Sequence, residues 1–256
     1  MDTERKFPTE AIDLPSNGWF YDADSPLASG KIELKYMTAR EEDILTSTNL
    51  IQKGLVLDRL LKAVVVTPKV DINDLLVGDK NGILMAARIM AYGKNYPSTI
   101  LCRNCGVVNS LTIDLTNLDE REIVEPEEKG KNEFEFVLPK PNNTKIVFRA
   151  LTHRDDEEIA KEVEGQRKID PEVEYTQSTR LKYMIVSVDG NTDDAVIRSF
   201  VDKELIARDA SALRQEYTKV VPDVDLTFEF TCYDCDDQRR MSVPLGIDFF
   251  WPVAEV

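Results

Sequence analysis

The chain has 256 residues, enough for one large domain or two small ones, and its hydrophobic content of 42% is ordinary for a folded core. Its 47 acidic residues outnumber 32 basic ones, so the net charge is −15 at pH 7. Such a negative field repels nucleic-acid phosphates and anionic lipids, so binding to nucleic acid or to a membrane is not expected. Without a secretory signal or a bilayer-spanning stretch, the chain is expected to be soluble and intracellular.

Hydrophobic periodicity predicts strands, then helices, then strands, and it does so twice. For the first half we expect a hairpin pairing 19–21 with 32–34, helices around 39–46, 52–65, 72–77 and 81–92, and a hairpin pairing 99–101 with 111–113. For the second half we expect a hairpin pairing 134–136 with 146–148, helices around 154–165, 176–187, 193–205 and 209–217, and a hairpin pairing 226–230 with 241–243. The predicted fold class is therefore α+β.

Parts of the sequence recur along the chain. The segment 31–43 resembles 145–157, and in both a threonine, Thr38 or Thr152, can cap a helix. Later positions, including the cysteines, recur 130 positions further along, which places about sixteen extra residues near 161–177 as an exposed loop or helix extension. This pattern predicts an internal duplication of a hairpin–helices–hairpin unit. The halves would be residues 1–115 and 133–256, joined by a polar linker at 116–132.

The four cysteines form two C-x-x-C pairs, Cys102 with Cys105 and Cys232 with Cys235, each at the tip of a predicted hairpin. Two such turns facing one another would gather four thiolates in the tetrahedral arrangement that zinc prefers. The pairs are far apart in the sequence, but two related halves would bring equivalent tips together on their pseudo-symmetry axis. We therefore predict one structural zinc ion, held by four cysteines, that clamps the halves together.

Three alternative roles for these cysteines stay open. A redox-active C-x-x-C pair normally lies at a helix N-terminus beside a βαβ unit, whereas these pairs lie in hairpins. Two disulfides are disfavoured in a chain that is expected to stay in a reducing compartment. Plain cysteines without a metal are the third alternative.

Only one histidine, His153, is available for catalysis, and every Ser-His-Asp or Cys-His site would depend on it. The H-E-x-x-H zinc pattern and the common glycine-rich phosphate-binding motifs are absent from the sequence. We interpret His153 as an exposed residue in the first turn of a helix. Since four thiolates would leave zinc no open coordination position, the chain is expected not to be an enzyme.

Aromatic residues stand out at two places in the sequence. Phe249, Phe250 and Trp251 stand consecutively before a proline, and Trp19 follows a glycine near the start. Such residues either cover the core or anchor a partner protein, so these four are candidate partner-binding residues.

Several of these motifs occur together in one known family. They are the segment 34–43, the stretch 77–84 (Val-Gly-Asp-Lys-Asn-Gly-Ile-Leu), the two cysteine pairs, and the ending 243–246 followed by Phe249-Phe250-Trp251. Over roughly residues 15–252 the chain resembles the baseplate hub assembly proteins of T4-type contractile-tailed phages. The resemblance implies a non-enzymatic chaperone or assembly catalyst for the central hub. Its partners would be baseplate hub proteins in the cytoplasm of the infected bacterium.

Two further functions stay open beside that expectation. The first alternative is a permanent structural subunit of the baseplate in the virion, which should self-associate or bind neighbours over large apolar areas. The second is a metal-dependent enzyme, for which one histidine and a closed four-thiolate site leave little room. A chaperone would instead be monomeric or dimeric and would bind one client.

Overall fold

The computed structural model describes residues 8–118, 121–139, 143–243 and 245–250. Helices and strands are mixed along the chain, which confirms the α+β class. The first half contains β1 (Thr9–Asp13), β2 (Lys31–Lys35), α1 (Ala39–Thr46), α2 (Thr48–Gln52), α3 (Val56–Val64), α4 (Val77–Tyr92), β3 (Asn95–Leu101) and β4 (Val108–Asp114). The second contains β5 (Phe134–Val137), β6 (Lys145–Phe148), α5 (His153–Ile169), α6 (Thr176–Met184), β7 (Ile185–Val188), α7 (Asp194–Lys203), α8 (Ala207–Val220), β8 (Thr227–Thr231), β9 (Gln238–Ser242) and α9 (Ile247–Phe250).

The strands form small antiparallel sheets. β1 pairs with β2, β3 with β4, and β8 with β9, while β5, β6 and β7 form a three-stranded sheet. The predicted pairing of 134–136 with 146–148 is present. The other two predicted hairpins are also present, but residues 99–101 pair with 108–110, and the last hairpin pairs 227–231 with 238–242. Small sheets of this kind need packing against helices, because a lone hairpin is marginal in water.

In the first hairpin, β2 pairs with a different segment from the predicted one. β2 pairs with Thr9–Asp13 and not with residues 19–21, which lie in a turn. The residues between β1 and β2 form a loop that folds back on itself, since Gly18 at φ 75° approaches the backbone of Ala28 and Gly30 so closely that a Cβ would overlap it. Aromatic residues in a buried loop resemble a strand in the sequence, whereas the exposed β1 lacks the alternation of a half-buried strand.

A buried carboxylate explains why that loop stays in place. Asp79, fully buried near the start of α4, accepts hydrogen bonds from the Ser16 backbone N–H (2.8 Å), the Ser16 hydroxyl (2.7 Å) and the Tyr21 hydroxyl (2.6 Å). The Tyr21 oxygen in turn accepts from the Leu76 N–H at 2.8 Å. Burial, followed by the nearby Asp79 charge, raises the pKa of Tyr21 far above its usual range, so its hydroxyl stays protonated and donates.

Both predicted helix caps are present. Thr38 caps α1 and Thr152 caps α5, each in a capping box in which the third helical residue, Glu41 or Asp155, bonds back to the threonine N–H. α5 reaches Ile169 and is therefore longer than the expected 154–165.

Several helix boundaries differ from the prediction. α3 begins at Val56 and not at 52, because Gly54 adopts a positive φ that ends the preceding turn. The segment 72–77 forms only a short 3₁₀ turn at 72–74, and α4 begins at Val77. The helix expected over 176–187 ends at Met184, where Ile185–Val188, rich in β-branched residues, pairs with β6 instead.

One hydrophobic core receives side chains from both halves. It contains buried residues from 14 to 115 and from 138 to 250. Where the halves meet, the Val77 N–H donates to the Leu151 carbonyl at 2.9 Å and the His153 N–H donates to the Leu75 carbonyl at 2.8 Å. The halves are therefore joined by buried apolar surface and by backbone hydrogen bonds.

The segment predicted as a linker lies on this folded body. Within 116–132, residues 119 and 120 are outside the described part of the chain. The Arg121 N–H donates to the Asp223 carbonyl at 3.0 Å, and the Gly130 N–H donates to the Trp19 carbonyl at 2.7 Å.

Candidate metal centre

The two cysteine turns have the same backbone structure. In the first, the Cys102 N–H donates to the Val107 carbonyl and the Gly106 N–H donates back to the Cys102 carbonyl, both at 2.9 Å. In the second, Cys232 forms the equivalent bonds with Asp237 (2.9 Å) and Asp236 (3.0 Å). Gly106 and Asp236 both have positive φ, 74° and 55°, which turns the chain tightly behind the second cysteine.

The turns face each other and gather all four sulfur atoms. The Sγ atoms of Cys102 and Cys235 are 3.8 Å apart, and those of Cys105 and Cys232 are 3.7 Å apart. All four lie within 4.8 Å of one another. Since Zn–S bonds of about 2.3 Å give a tetrahedron with edges of about 3.8 Å, the donor set and its spacing fit a zinc ion.

The same distances exclude disulfides in this structure. The four cysteines are free, and the sulfur separations across the turns are far above the ~2.05 Å of an S–S bond. Each turn also lies between two strands and not at a helix N-terminus, which is where a redox-active pair is normally found.

Polar side chains around the sulfur atoms were not foreseen from the sequence. The buried amide of Asn109, on β4, donates to Cys232 Sγ across the site (3.5 Å) and to the Val107 carbonyl, while its oxygen accepts from the Tyr233 N–H. Asn104 donates to Cys235 Sγ at 3.4 Å. Donors of this kind stabilise thiolates and fix the orientation of metal ligands. The sequence signal that could have identified Asn109 is the alternation of inward and outward positions along β4, which places Asn109 on the inward face.

The thiols have unequal tendencies to ionise. Burial disfavours the Cys232 thiolate, but the N–H groups of Asp234 and Cys235 and the Asn109 amide outweigh it and lower the pKa. The Val107 N–H favours the Cys105 thiolate, yet burial and the other three cysteines raise its pKa. Four crowded thiolates repel one another, so a divalent cation is what would allow all of them to ionise.

A small apolar cluster of its own supports the site. Ile100 and Phe230 are buried together with Cys102 and Cys232, and Leu111, Phe228 and Met241 pack against them. This cluster is too small to hold the two hairpins together strongly, because small cores generally need a metal or a disulfide.

Comparison with known protein families shows a match to the model of the T4 bacteriophage base plate protein over residues 13–251. The chain belongs to this family. Neither the curated proteins nor the solved structures contain a match. The family match includes both cysteine turns and the whole shared core, and it confirms the resemblance to T4-type baseplate proteins.

The histidine of this baseplate protein is in the predicted position along the chain but not in the predicted environment. His153 is the first residue of α5, as expected, yet only 4% of it is exposed. Its Nε2 lies 2.9 Å from Asp58 on α3, and its Nδ1 lies 3.3 Å from the Lys80 ammonium on α4. The interpretation as an exposed residue is wrong, because α3 and α4 of the first half pack over the first turn of α5.

The aromatic candidates divide into buried, half-buried and undescribed residues. Phe249 and Phe250 are 0% and 1% exposed, in contact edge to face at 5.4 Å, and the Phe249 carbonyl accepts from the buried Arg88 at 3.0 Å. A segment packed in this way covers the core. Neither phenylalanine ring is exposed on the surface. Trp19 is half-buried beside Lys129, and Trp251 lies outside the described residues. A partner-binding role for these four residues stays a prediction.

None of the helices in the described ranges has the length and apolar composition needed to cross a membrane.

Proposed function

We propose that this baseplate protein is a non-enzymatic assembly factor, a chaperone for the central hub of a contractile phage tail baseplate, acting in the cytoplasm of the infected bacterium. The family match over residues 13–251 supports the baseplate part of this proposal, because it suggests other baseplate components as partners. The net charge of −15 and the core shared by both halves suit a rigid body that stays in solution while it holds a client.

The same proposal includes the internal duplication and the zinc clamp. Equivalent capping boxes at Thr38 and Thr152, and buried aspartates at Asp79 and Asp209, support two related hairpin–helices–hairpin units. One zinc ion bound by Cys102, Cys105, Cys232 and Cys235 would join the ends of these units. It would fix the relative position of the two hairpins without taking part in any reaction, because four thiolates fill its coordination shell.

An exposed apolar patch on this clamp is our candidate for the client-binding surface. Leu101 and Val108 are opposite each other on β3 and β4 and are 62% and 53% exposed. Tyr233, 69% exposed, donates a hydrogen bond from its hydroxyl to the Val108 carbonyl at 3.0 Å. Arg103 is exposed in the turn beside them. Tyrosine and arginine are enriched among the residues that dominate binding energy at interfaces, and the exposed Leu101 and Val108 add apolar area beside them.

The patch is tested by replacing Leu101 and Tyr233 together with serine. Because both side chains are largely exposed, the free energy of unfolding should change by no more than about 1 kcal/mol. Affinity for the hub protein that binds the wild type, chosen by testing the purified hub proteins of the same phage one by one, should fall by about 10- to 100-fold. Ile169→Ser, at an 87% exposed position at the end of α5, is the control and should bind normally. Equal binding by both variants would exclude the patch.

A permanent structural subunit of the baseplate is the second candidate, and the family match favours it equally. Quantitative mass spectrometry of infected-cell lysate and of purified virions, normalised to the tail-tube protein, separates the two candidates. A chaperone should be abundant in lysate and nearly absent from particles. A fixed copy number per virion would make the protein a structural component and would refute the chaperone.

A further inference from the structure

A second cluster of metal-ligating side chains lies away from the cysteines, where the helices of the two halves meet. Asp58 extends from α3, and His153 and Glu157 extend from the first two turns of α5. One potential ligand atom from each of the three lies within 4.8 Å of the other two. The backbone bond from the His153 N–H to the Leu75 carbonyl fixes the start of α5 against the first half, so the cluster does not depend on loop positions.

The imidazole of His153 is the most informative member of the cluster. Its side chain is 5% exposed, and Nε2 is a buried nitrogen without a hydrogen-bond partner in the described part of the chain. Asp58 Oδ1 is only 2.9 Å from Nε2, but the two atoms do not form a hydrogen bond. A buried, unpartnered ring nitrogen next to a carboxylate oxygen is the arrangement of two ligands that share a cation.

The two carboxylates add to this argument. Asp58 Oδ1 lies 2.9 Å from His153 Nε2, and Glu157 supplies the third potential ligand atom of the group. Glu157 is about one-third exposed, and the ammonium of Lys161 approaches it only to 3.8 Å. Two carboxylates close to one imidazole repel each other unless a positive charge lies between them, and Glu157 is free enough to rotate onto an ion.

Lys80 is the group that competes with a metal. Its ammonium is 3.3 Å from His153 Nδ1 and 3.1 Å from Asp156 Oδ2. A metal on Nε2 would leave the proton on Nδ1, so Lys80 would have to turn fully towards Asp156. Asp156 is also paired with Arg180 at 2.9 Å, and this ion-pair network would hold the displaced ammonium.

We propose that Asp58, His153 and Glu157 bind one divalent first-row transition-metal ion, at a site separate from the four-cysteine centre. One imidazole and two carboxylates are ligands for manganese, iron or zinc, whereas manganese has little affinity for a four-thiolate site. Three protein ligands leave positions for water on the side of Glu157. An ion here would connect α3 of the first half to α5 of the second, as zinc would connect their hairpins.

The test is a Mn²⁺ titration of the full, zinc-loaded chain, followed by electron paramagnetic resonance of free Mn²⁺. We expect one Mn²⁺ bound per chain in the wild type and loss of that binding in Asp58→Asn and in His153→Gln. Glu158→Gln is the matched control, because Glu158 is an exposed neighbour on the same helix and the variant loses the same charge. Lys80→Met should bind Mn²⁺ more tightly than the wild type, since it removes the competing cation.

Two further readouts keep the result independent of folding. Circular dichroism and zinc content identify any variant that has lost its structure, and tighter binding by Lys80→Met cannot come from unfolding. Mn²⁺ should also raise the melting temperature of the wild type but not that of Asp58→Asn. The absence of stoichiometric Mn²⁺ binding, or equal binding by Asp58→Asn and Glu158→Gln, would overturn the proposal.

Discussion

Replacing Cys102 by serine is expected to abolish zinc binding and to lower the free energy of unfolding by about 5 kcal/mol. The effect is large because Cys102 is buried between the two hairpins, and the small cluster of Ile100 and Phe230 cannot hold them together alone. The measurement is zinc content after purification in reducing buffer, together with denaturant unfolding with and without a chelator. The chelator should destabilise the wild type strongly and the variant hardly at all.

Arg103→Ala is the control for this experiment. Arg103 lies in the same turn between Cys102 and Cys105, is exposed, and contributes no sulfur to the site. This variant should keep its zinc and unfold at the same denaturant concentration as the wild type. If reduced wild-type protein bound less than half an equivalent of zinc, or if the chelator affected the wild type and Cys102→Ser equally, the metal clamp would not exist.

The site was easier to predict from the sequence than much of the fold, for a physical reason. A C-x-x-C pair in a hairpin turn is a local pattern, and its recurrence at a constant offset indicated which pairs meet. Asn109 could not be identified in this way, because no local pattern distinguishes an asparagine that contacts a sulfur atom from one in an ordinary turn. Its contact with Cys232 exists only after the second hairpin has packed against the first.

The incorrect predictions share one cause, which is that tertiary packing overrode local pattern. β1 has almost no buried side chain, so no periodicity marks it, and the sequence instead predicts the aromatic residues 19–21 as the partner of β2. The β-branched run of β7 follows a helix without a break and was included in that helix. His153 stands at a helix start, where exposure is common, and only the packing of α3 and α4 over α5 buries it.

The close approach of the two halves also makes one glycine indispensable. Gly78 lies in the first turn of α4, and a Cβ there would be 1.9 Å from the Pro222 carbonyl oxygen and 2.8 Å from Asp223 Cα. Both obstacles are backbone atoms that cannot turn aside. Asn81 donates to Asp223 Oδ1 at 2.9 Å, and the Asp223 carbonyl accepts from the Arg121 N–H, so the 222–223 segment is held in place.

We therefore expect Gly78→Ala to lower the free energy of unfolding by about 3 kcal/mol or more, although alanine favours a helix over glycine by about 1 kcal/mol. For a chain of this length, the melting temperature should fall by roughly 6–12 °C. Gly165→Ala is the matched control, because Gly165 lies inside α5 with nothing near its Cβ position, and this change should stabilise by up to about 1 kcal/mol. If α4 packs directly on the second half, thermal melts should show a lower melting temperature for Gly78→Ala and a higher one for Gly165→Ala. A neutral Gly78→Ala would mean that the halves separate at this contact without loss of stability.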